Sequence, residues 1–180
     1  MLYRRHFNVQ PLHEHICGSF DAYIFQVNAT GEIIFQLYIR SNNGRLWMSL
    51  GGLKKLIEGL EEVHQTVLEN EAHVLEFRRN ADDVLYEEKF VDEVRNRLIT
   101  FKLVVSYGKH PFPNTAGDMI LDITTENLKD PSKGSFIPLG IFPGSNAILN
   151  LKNNLEELLK AHEDRQWELR AHKEEQNRVE

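Results

Sequence analysis

Two aromatic and two basic side chains that lie close together in the sequence could bind a single strand of nucleic acid. Tyr38, Arg40, Arg45 and Trp47 alternate with apolar residues along two segments that have the period of β-strands. Because successive side chains of a strand point to opposite faces, all four would lie opposite the apolar rows. Bases can stack on the aromatic rings, and arginines can contact phosphates or stack as planar cations. We therefore predict a nucleic-acid-binding sheet face, supplemented from later in the chain by Lys102.

A second interpretation of these residues stays open at this point. Tyr38 and Trp47 would also suit a second core layer or the interface of a dimer, because both are large and amphipathic. Arg40 and Arg45 would then be solvated surface residues. This alternative predicts a protein-interaction or assembly module that does not bind nucleic acid.

A short N-terminal segment could ligate a metal. His13, His15 and Cys17 occupy alternate positions, so they would converge on one side of a strand. A zinc site needs a fourth ligand, and His6 is the only nearby candidate. A polar strand or loop is the simpler interpretation, and we predict no bound metal.

The sequence contains no familiar catalytic or cofactor-binding motif. It lacks a Walker-type loop, a dinucleotide-binding glycine fingerprint, Gly-x-Ser-x-Gly and His-Glu-x-x-His. Asp118 and Asp122 could be paired carboxylates, but a hairpin with one buried aspartate is the simpler account. His110, beside Pro111, has no evident partner. We therefore predict that the protein is not an enzyme and holds no cofactor.

The charge of the chain is unevenly distributed. The 180 residues carry a net charge of −6, yet residues 61–94 contain 11 acidic side chains against three basic ones. The remainder is therefore weakly basic. This distribution argues against a broadly basic nucleic-acid binder and still allows a local basic surface.

The cellular location is expected to be cytoplasmic or nuclear. Cys17 is the only cysteine, so an intrachain disulfide is impossible, which suits a reducing compartment. The first ten residues carry basic side chains without an apolar core after them, unlike a signal peptide. No apolar run approaches the roughly 20 residues that span a bilayer, so we expect no membrane association.

Hydrophobic periodicity predicts a first sheet-and-helix half over residues 16–70. An Asn-Gly pair in Ser41-Asn42-Asn43-Gly44 favours a tight hairpin turn, and Gly51-Gly52 is expected to end the last strand. The predicted elements are strands at 16–27, 32–40 and 45–50 and a helix from Leu53 to about Asn70.

An acidic connection at 71–97 separates this half from a second one at 98–165. The connection could contain short strands, for example at 84–86, or a short helix around 87–95. The second half and its tail should contain strands at 98–107, 119–124 and 135–142, a helix from about 148 or 151, and a solvated helical extension at 166–180. Pro138 suggests that the last strand lies at a sheet edge.

The two halves suggest an internal repeat within a single compact unit, 1–180. Phe35-Gln-Leu-Tyr-Ile-Arg-Ser resembles Phe101-Lys-Leu-Val-Val-Ser-Tyr, and the helices share a Leu-Glu-Glu motif at 60–62 and 155–157. This alignment requires about 29 extra residues in the second half, which we place around 111–135; chance matching is the alternative. The predicted fold class is α+β: two antiparallel sheets, each packed by one helix.

The first half resembles the purine-rich-element-binding (PUR) and Whirly group of single-stranded nucleic-acid binders. The matching stretch is Gly31-Glu-Ile-Ile-Phe-Gln-Leu-Tyr-Ile-Arg-Ser-Asn-Asn-Gly-Arg-Leu-Trp-Met-Ser-Leu, followed by Leu53-Lys-Lys-Leu-Ile-Glu-Gly-Leu-Glu-Glu-Val. The resemblance implies intimate pairing of the two halves, homodimerisation, and binding on the sheet face opposite the helix. We therefore expect a partner that is single-stranded DNA or RNA.

Overall fold

The computed structural model describes residues 1–9, 19–40, 43–70, 83–106, 118–141 and 146–168. These residues form eight strands and two main helices, with one further helical turn at 166–168. In chain order the elements are β1 (Tyr3–Asn8), β2 (Ser19–Gln26), β3 (Ile33–Ile39), β4 (Gly44–Met48), α1 (Leu50–Asn70), β5 (Asp83–Asp92), β6 (Arg97–Ser106), β7 (Asp118–Asn127), β8 (Ser135–Ile141) and α2 (Ala147–Glu163).

The fold consists of a four-stranded antiparallel sheet followed by a helix, and this arrangement occurs twice. The first sheet has the order β1-β2-β3-β4 and the second has the order β5-β6-β7-β8, so each strand pairs with its neighbours in sequence. The predicted α+β class with two sheet-then-helix units is therefore confirmed. Pro138 lies in β8 at the edge of the second sheet, as predicted, where a missing backbone donor is tolerated.

Strict alternation along β3 separates the two faces of the first sheet. Phe35, Leu37 and Ile39 are fully buried and face the helices. Their cross-strand partners are also apolar: Ile24, Ala22 and Phe20 on β2, and Met48 and Leu46 on β4. The intervening residues point to the opposite surface, which we call the outer face. The outer face is the one on which the predicted binding residues lie.

Helix α1 begins at Leu50, three residues before the predicted start, and contains both glycines of the pair that was expected to break the chain. Two side chains cap its first turn. The Ser49 hydroxyl accepts a hydrogen bond from the Gly52 amide at 3.1 Å, and the Asp92 carboxylate accepts one from the Ser49 amide at 2.7 Å. These bonds compensate for the poor helix propensity of glycine.

The two units share one hydrophobic core. Gly59 of α1 lies so close to β6 that a Cβ atom there would come within 3.1 Å of the Phe101 ring. Helix α2 packs against α1 and reaches back to β1 and β2 of the first sheet. The His162 ring of α2 meets the ring of Phe35 on β3 edge-on, with centroids 5.3 Å apart, and Arg5 of β1 donates to Asn154 of α2 at 2.8 Å. Most of the buried apolar residues of both units belong to one cluster.

Two elements differ from the sequence-based expectation. No strand was predicted at β1, because its polar run Arg4-Arg5-His6 hides the alternation of the buried Tyr3 and Phe7. The alternative of a helix around 87–95 is wrong, since 83–92 form one long strand. Its hydrogen-bonded pairing with β6 outweighs the helix propensity of a Glu- and Lys-rich segment.

The sequence alignment of the two halves is also corrected. Phe35 lies in the third strand of its sheet, whereas Phe101 lies in the second strand of the other. The extra residues in the second half are therefore not an insertion into a loop, because they include the whole of β7. In topological order β3 corresponds to β7.

Within the described residues, no helix is long and apolar enough to span a membrane.

Candidate nucleic-acid interface

Four of the five predicted binding residues lie together on the outer face. Tyr38 on β3 stands directly opposite Arg45 on β4, and Trp47 stands opposite Gln36 one pair further along. Arg40 follows the end of β3, where its amide donates to the Ser19 carbonyl at 3.0 Å. The hairpin between β3 and β4 therefore positions the predicted group, and its turn includes Asn43 with a positive φ of 57°.

Three aromatic rings form a layer across the middle of the outer face: Tyr23, Phe25 and Trp47, which we call the aromatic layer. The ring centroids of Tyr23 and Phe25 are 5.5 Å apart, and those of Phe25 and Trp47 are also 5.5 Å apart. Phe25 lies on β2 and Trp47 on β4, so their rings meet above the intervening β3. The aromatic layer therefore covers the middle strand, where Ile34 is only 5% exposed.

A shallow concavity of about 390 Å³ opens within this surface. Gln36 lies on the middle strand, and the three residues of the aromatic layer surround it together with Tyr38 and Arg45. The Tyr38 hydroxyl donates to the Asn43 side chain at 2.7 Å, and the Arg45 guanidinium lies 5.4 Å from the centre of the Tyr38 ring. These contacts hold both Tyr38 and Arg45 at the rim.

Asp21 organises the basic end of the outer face. Its carboxylate is 2% exposed and accepts hydrogen bonds from Arg4 at 3.0 Å and from Arg40 at 2.9 Å. His6 lies 3.2 Å from the same carboxylate. Burial alone would raise the pKa of Asp21, but the hydrogen bonds from Arg40, Arg4 and His6 outweigh it and hold the pKa below its ordinary value. Asp21 therefore stays ionised and fixes the two arginines.

The arginines remain accessible despite these contacts. Arg4 and Arg40 have side chains 46% and 47% exposed, and each guanidinium has further N–H groups besides those bonded to Asp21. Arg4 also lies 5.7 Å from the centre of the Tyr23 ring, beside the aromatic layer. Among the outward-pointing residues of the first four strands, only Asp21 is acidic. Three arginines therefore share this surface with one buried carboxylate.

Lys102 is not brought to this surface. It lies on β6 of the second sheet, where its cross-strand neighbours are Glu87 on β5 and Asp122 on β7. These carboxylates reduce the positive potential around Lys102, in contrast to the arginine-rich outer face. The two sheets are therefore chemically different although their topology is the same.

The sequence patterns did not indicate several residues of the outer face, notably Tyr23, Phe25, Arg4 and Asp21. In β2 both alternating rows contain large apolar or aromatic residues, so periodicity could not show which row faces outward. The pairing of Tyr23 with Gln36 shows that the row containing Tyr23 and Phe25 faces outward. Arg4 lies on the outer face only because β1 pairs with the edge of β2 that is opposite β3.

The metal hypothesis falls on residues outside the described part of the chain, since His13, His15 and Cys17 all lie there. His6, the proposed fourth ligand, is described and contacts Asp21. Within the described ranges, no group of three or more potential ligands is close enough together to hold a metal ion.

Comparison with known proteins does not supply a function. No protein-family model matches the chain, and no curated protein matches it in sequence. The geometry of the outer face is therefore the main indication of function.

Proposed function

We propose that this chain binds single-stranded nucleic acid on the outer face of its first sheet. One observation carries the proposal: partly exposed aromatic rings lie next to three accessible arginines, and the one carboxylate among the outward-pointing residues of the first four described strands is already paired. The resemblance of residues 31–63 to the PUR and Whirly group implies binding on the sheet face opposite the helix. The aromatic layer lies on that face.

The chemistry favours a single strand over a duplex. Stacking of an unpaired base on an aromatic side chain contributes about 1–3 kcal/mol, and it requires a base whose ring face is free. In a duplex the ring faces are stacked on one another and do not reach a broad sheet surface. Arg4, Arg40 and Arg45 would contact the phosphates on either side of the stacked bases.

A salt-dependent titration with single- and double-stranded oligonucleotides tests the proposal. We expect Trp47→Ala to weaken single-strand binding by about 1–3 kcal/mol because a stacking partner is lost. The matched control is Phe136→Ala, which removes a 36% exposed aromatic ring from the second sheet and should leave affinity unchanged. Thermal unfolding of both variants separates lost binding from lost folding.

The same titration measures the electrostatic contribution. Arg45→Ala should reduce the slope of log affinity against log salt by about 0.7, as expected for one lost phosphate contact on a single strand. Lys102→Ala, which removes a cation flanked by carboxylates on the other sheet, should change the slope less. Undetectable or salt-independent binding of every single strand would contradict the proposed function.

The second candidate function is a protein-interaction or assembly module that uses the same surface. It is favoured by the partial burial of the aromatic layer, since such rings also occur at the centre of protein interfaces. Sedimentation of the wild type and Trp47→Ala distinguishes the two functions. A dimer that dissociates on this substitution, combined with no affinity for nucleic acid, would select the assembly module.

A further inference from the structure

Gln36 occupies an unusual position at the centre of the outer face. It lies directly between Tyr23 on β2 and Trp47 on β4, in a row of three residues across the sheet. The residue is only 6% exposed. Among the described residues, its amide makes no hydrogen bond, although it lines the concavity.

This burial calls for a physical explanation. Most buried side-chain polar groups in proteins have a hydrogen-bond partner, because removing an amide from water without replacing its hydrogen bonds is unfavourable. An apolar β-branched residue would suit a strand position between aromatic rings better. Gln36 nevertheless lines the concavity, and neither of its amide atoms is among the fully buried polar atoms that lack a partner, so the amide is open to a ligand bound there.

The shape of the concavity limits what can enter. Its volume of about 390 Å³ is near the lower end of the roughly 300–1,000 Å³ typical of ligand pockets. Aromatic side chains form much of its wall, and Arg45 stands at its rim. A flat, aromatic group attached to an anionic backbone matches these features, since its ring would contact the aromatic walls and its phosphate the arginine.

We propose that the concavity holds one base of the bound strand, and that Gln36 selects adenine by hydrogen-bonding its edge. This proposal rests on the proposed function and names the base preference of the same surface. The Gln36 amide oxygen would accept from the N6 amino group of adenine, and the amide nitrogen would donate to the adjacent ring nitrogen. This is a bidentate arrangement in which glutamine matches adenine.

Adenine is favoured over the other bases because two of its edges satisfy the amide. Its amino group lies between two ring acceptors, N1 and N7, so a donor stands beside an acceptor in either orientation of the ring. In an unpaired strand both edges are free. In cytosine and thymine such pairs lie on the Watson–Crick edge alone, and the second pair of guanine, N2 and N3, lies beside the sugar. Adenine also stacks over a larger area than a pyrimidine.

The test uses fluorescence anisotropy with a labelled ten-residue oligothymidylate and a version that carries one central adenosine. We expect the wild type to bind the adenosine strand more tightly by about 5-fold or more, the lower end of the discrimination expected from a bidentate contact. A third strand carries nebularine, which keeps the purine ring and lacks the amino group. Its affinity should return close to that of the all-thymidine strand.

Two protein variants assign the effect to Gln36. Gln36→Met keeps the length and flexibility of the side chain without its hydrogen-bonding groups, and should bring the affinities for the adenosine and all-thymidine strands to the same level. The matched control is Gln26→Met, which changes an exposed glutamine on the opposite face of β2 and should keep the preference. Circular dichroism establishes that both variants fold.

The outcomes separate this proposal from the proposed function. If the wild type binds all three strands equally and in a salt-dependent manner, the adenine proposal is wrong and the function stands. Equal preference in the wild type and a folded Gln36→Met also overturns it. If no strand binds at all, both proposals are wrong. The nebularine comparison needs no variant, so an unfolded Gln36→Met still leaves a decisive result.

Discussion

Asp21 is the side chain on which the geometry of the basic surface most depends. A carboxylate that is 2% exposed is unfavourable unless its charge is compensated, and here two arginines and a histidine surround it. In return, Asp21 holds flexible arginine side chains beside the aromatic layer. The residue is therefore expected to support both folding and the orientation of the side chains on the outer face.

Replacement of Asp21 by asparagine should destabilise the protein at neutral pH by about 1–3 kcal/mol, because charge-assisted hydrogen bonds to two arginines are weakened. The pKa of Asp21 is lowered in the folded state. Its stabilisation is therefore fully present above the unfolded-state pKa of about 3.9 and is lost as the pH falls further, through the folded-state pKa. Urea denaturation of the wild type and Asp21→Asn between pH 7 and pH 3 measures how this stabilisation depends on pH.

The expected signature is a stability difference that narrows in acid. A protonated aspartic acid and an asparagine are both neutral. The free energies of unfolding of the wild type and Asp21→Asn should therefore converge below the folded-state pKa of Asp21. A constant difference across this range would show that Asp21 acts through shape and not through charge.

Helix α1 depends for its first turn on a residue from the other unit. It has no acidic residue of its own there, and the Asp92 carboxylate at the end of β5 accepts the Ser49 amide. A negative charge near a helix N-terminus is favourable because it opposes the helix dipole. Asp92 is 3% exposed and also accepts the Arg95 amide at 3.2 Å. The cap thus connects the first helix to the second sheet.

Replacing each of the two adjacent glycines of α1 by alanine should have opposite effects on the stability of the protein. A Cβ atom on Gly52 would lie 2.5 Å from Asp92 Oδ2, whereas a Cβ atom on Gly51 would meet only Ser49 Oγ at 3.7 Å. Gly51→Ala should stabilise the protein by about 0.5–1 kcal/mol through helix propensity. Gly52→Ala should lower stability by about 1–2 kcal/mol, because displacement of Asp92 outweighs that gain. Urea denaturation of the pair measures the contrast, and equal effects would refute the capping role.

The two sheet-and-helix units are not independent in their packing. Helix α2 covers part of the first sheet through contacts with β1 and β2, and α1 lies against β5 of the second. Each unit alone would leave apolar residues of its sheet uncovered. This interlocking predicts cooperative folding of the chain.

A fragment ending at residue 70 should therefore fail to fold by itself. It retains the first sheet and α1 but loses α2, whose Leu155 and Leu158 are fully buried in the shared core. Circular dichroism and amide-proton NMR of the fragment should indicate a largely unfolded chain, and addition of a fragment covering 71–180 should restore structure. A cooperative unfolding transition in the first fragment alone would contradict this prediction.

Local patterns in the sequence predicted most of the strand-and-helix architecture, although not β1. The alternation along Ile33–Ile39 and the apolar spacing of α1 are short-range signals, and each predicts which face of its element is buried. They also placed Tyr38 and Trp47 on a face away from the helix. Where both faces carry apolar side chains, as in β2, the local signal was ambiguous.

Long-range contacts determined the features that local sequence patterns did not predict. The pairing of β1 with β2 brought Arg4 to Asp21, and the end of β5 brought Asp92 to the start of α1, across 43 residues from Ser49. Lys102 was separated from the predicted group because its strand belongs to the other sheet. Periodicity depends on neighbouring residues and therefore predicted most of the elements and, where only one row is apolar, their buried faces. Strand register and core packing join residues that are distant in sequence, so only the tertiary structure determined that Gln36 lies between Tyr23 and Trp47.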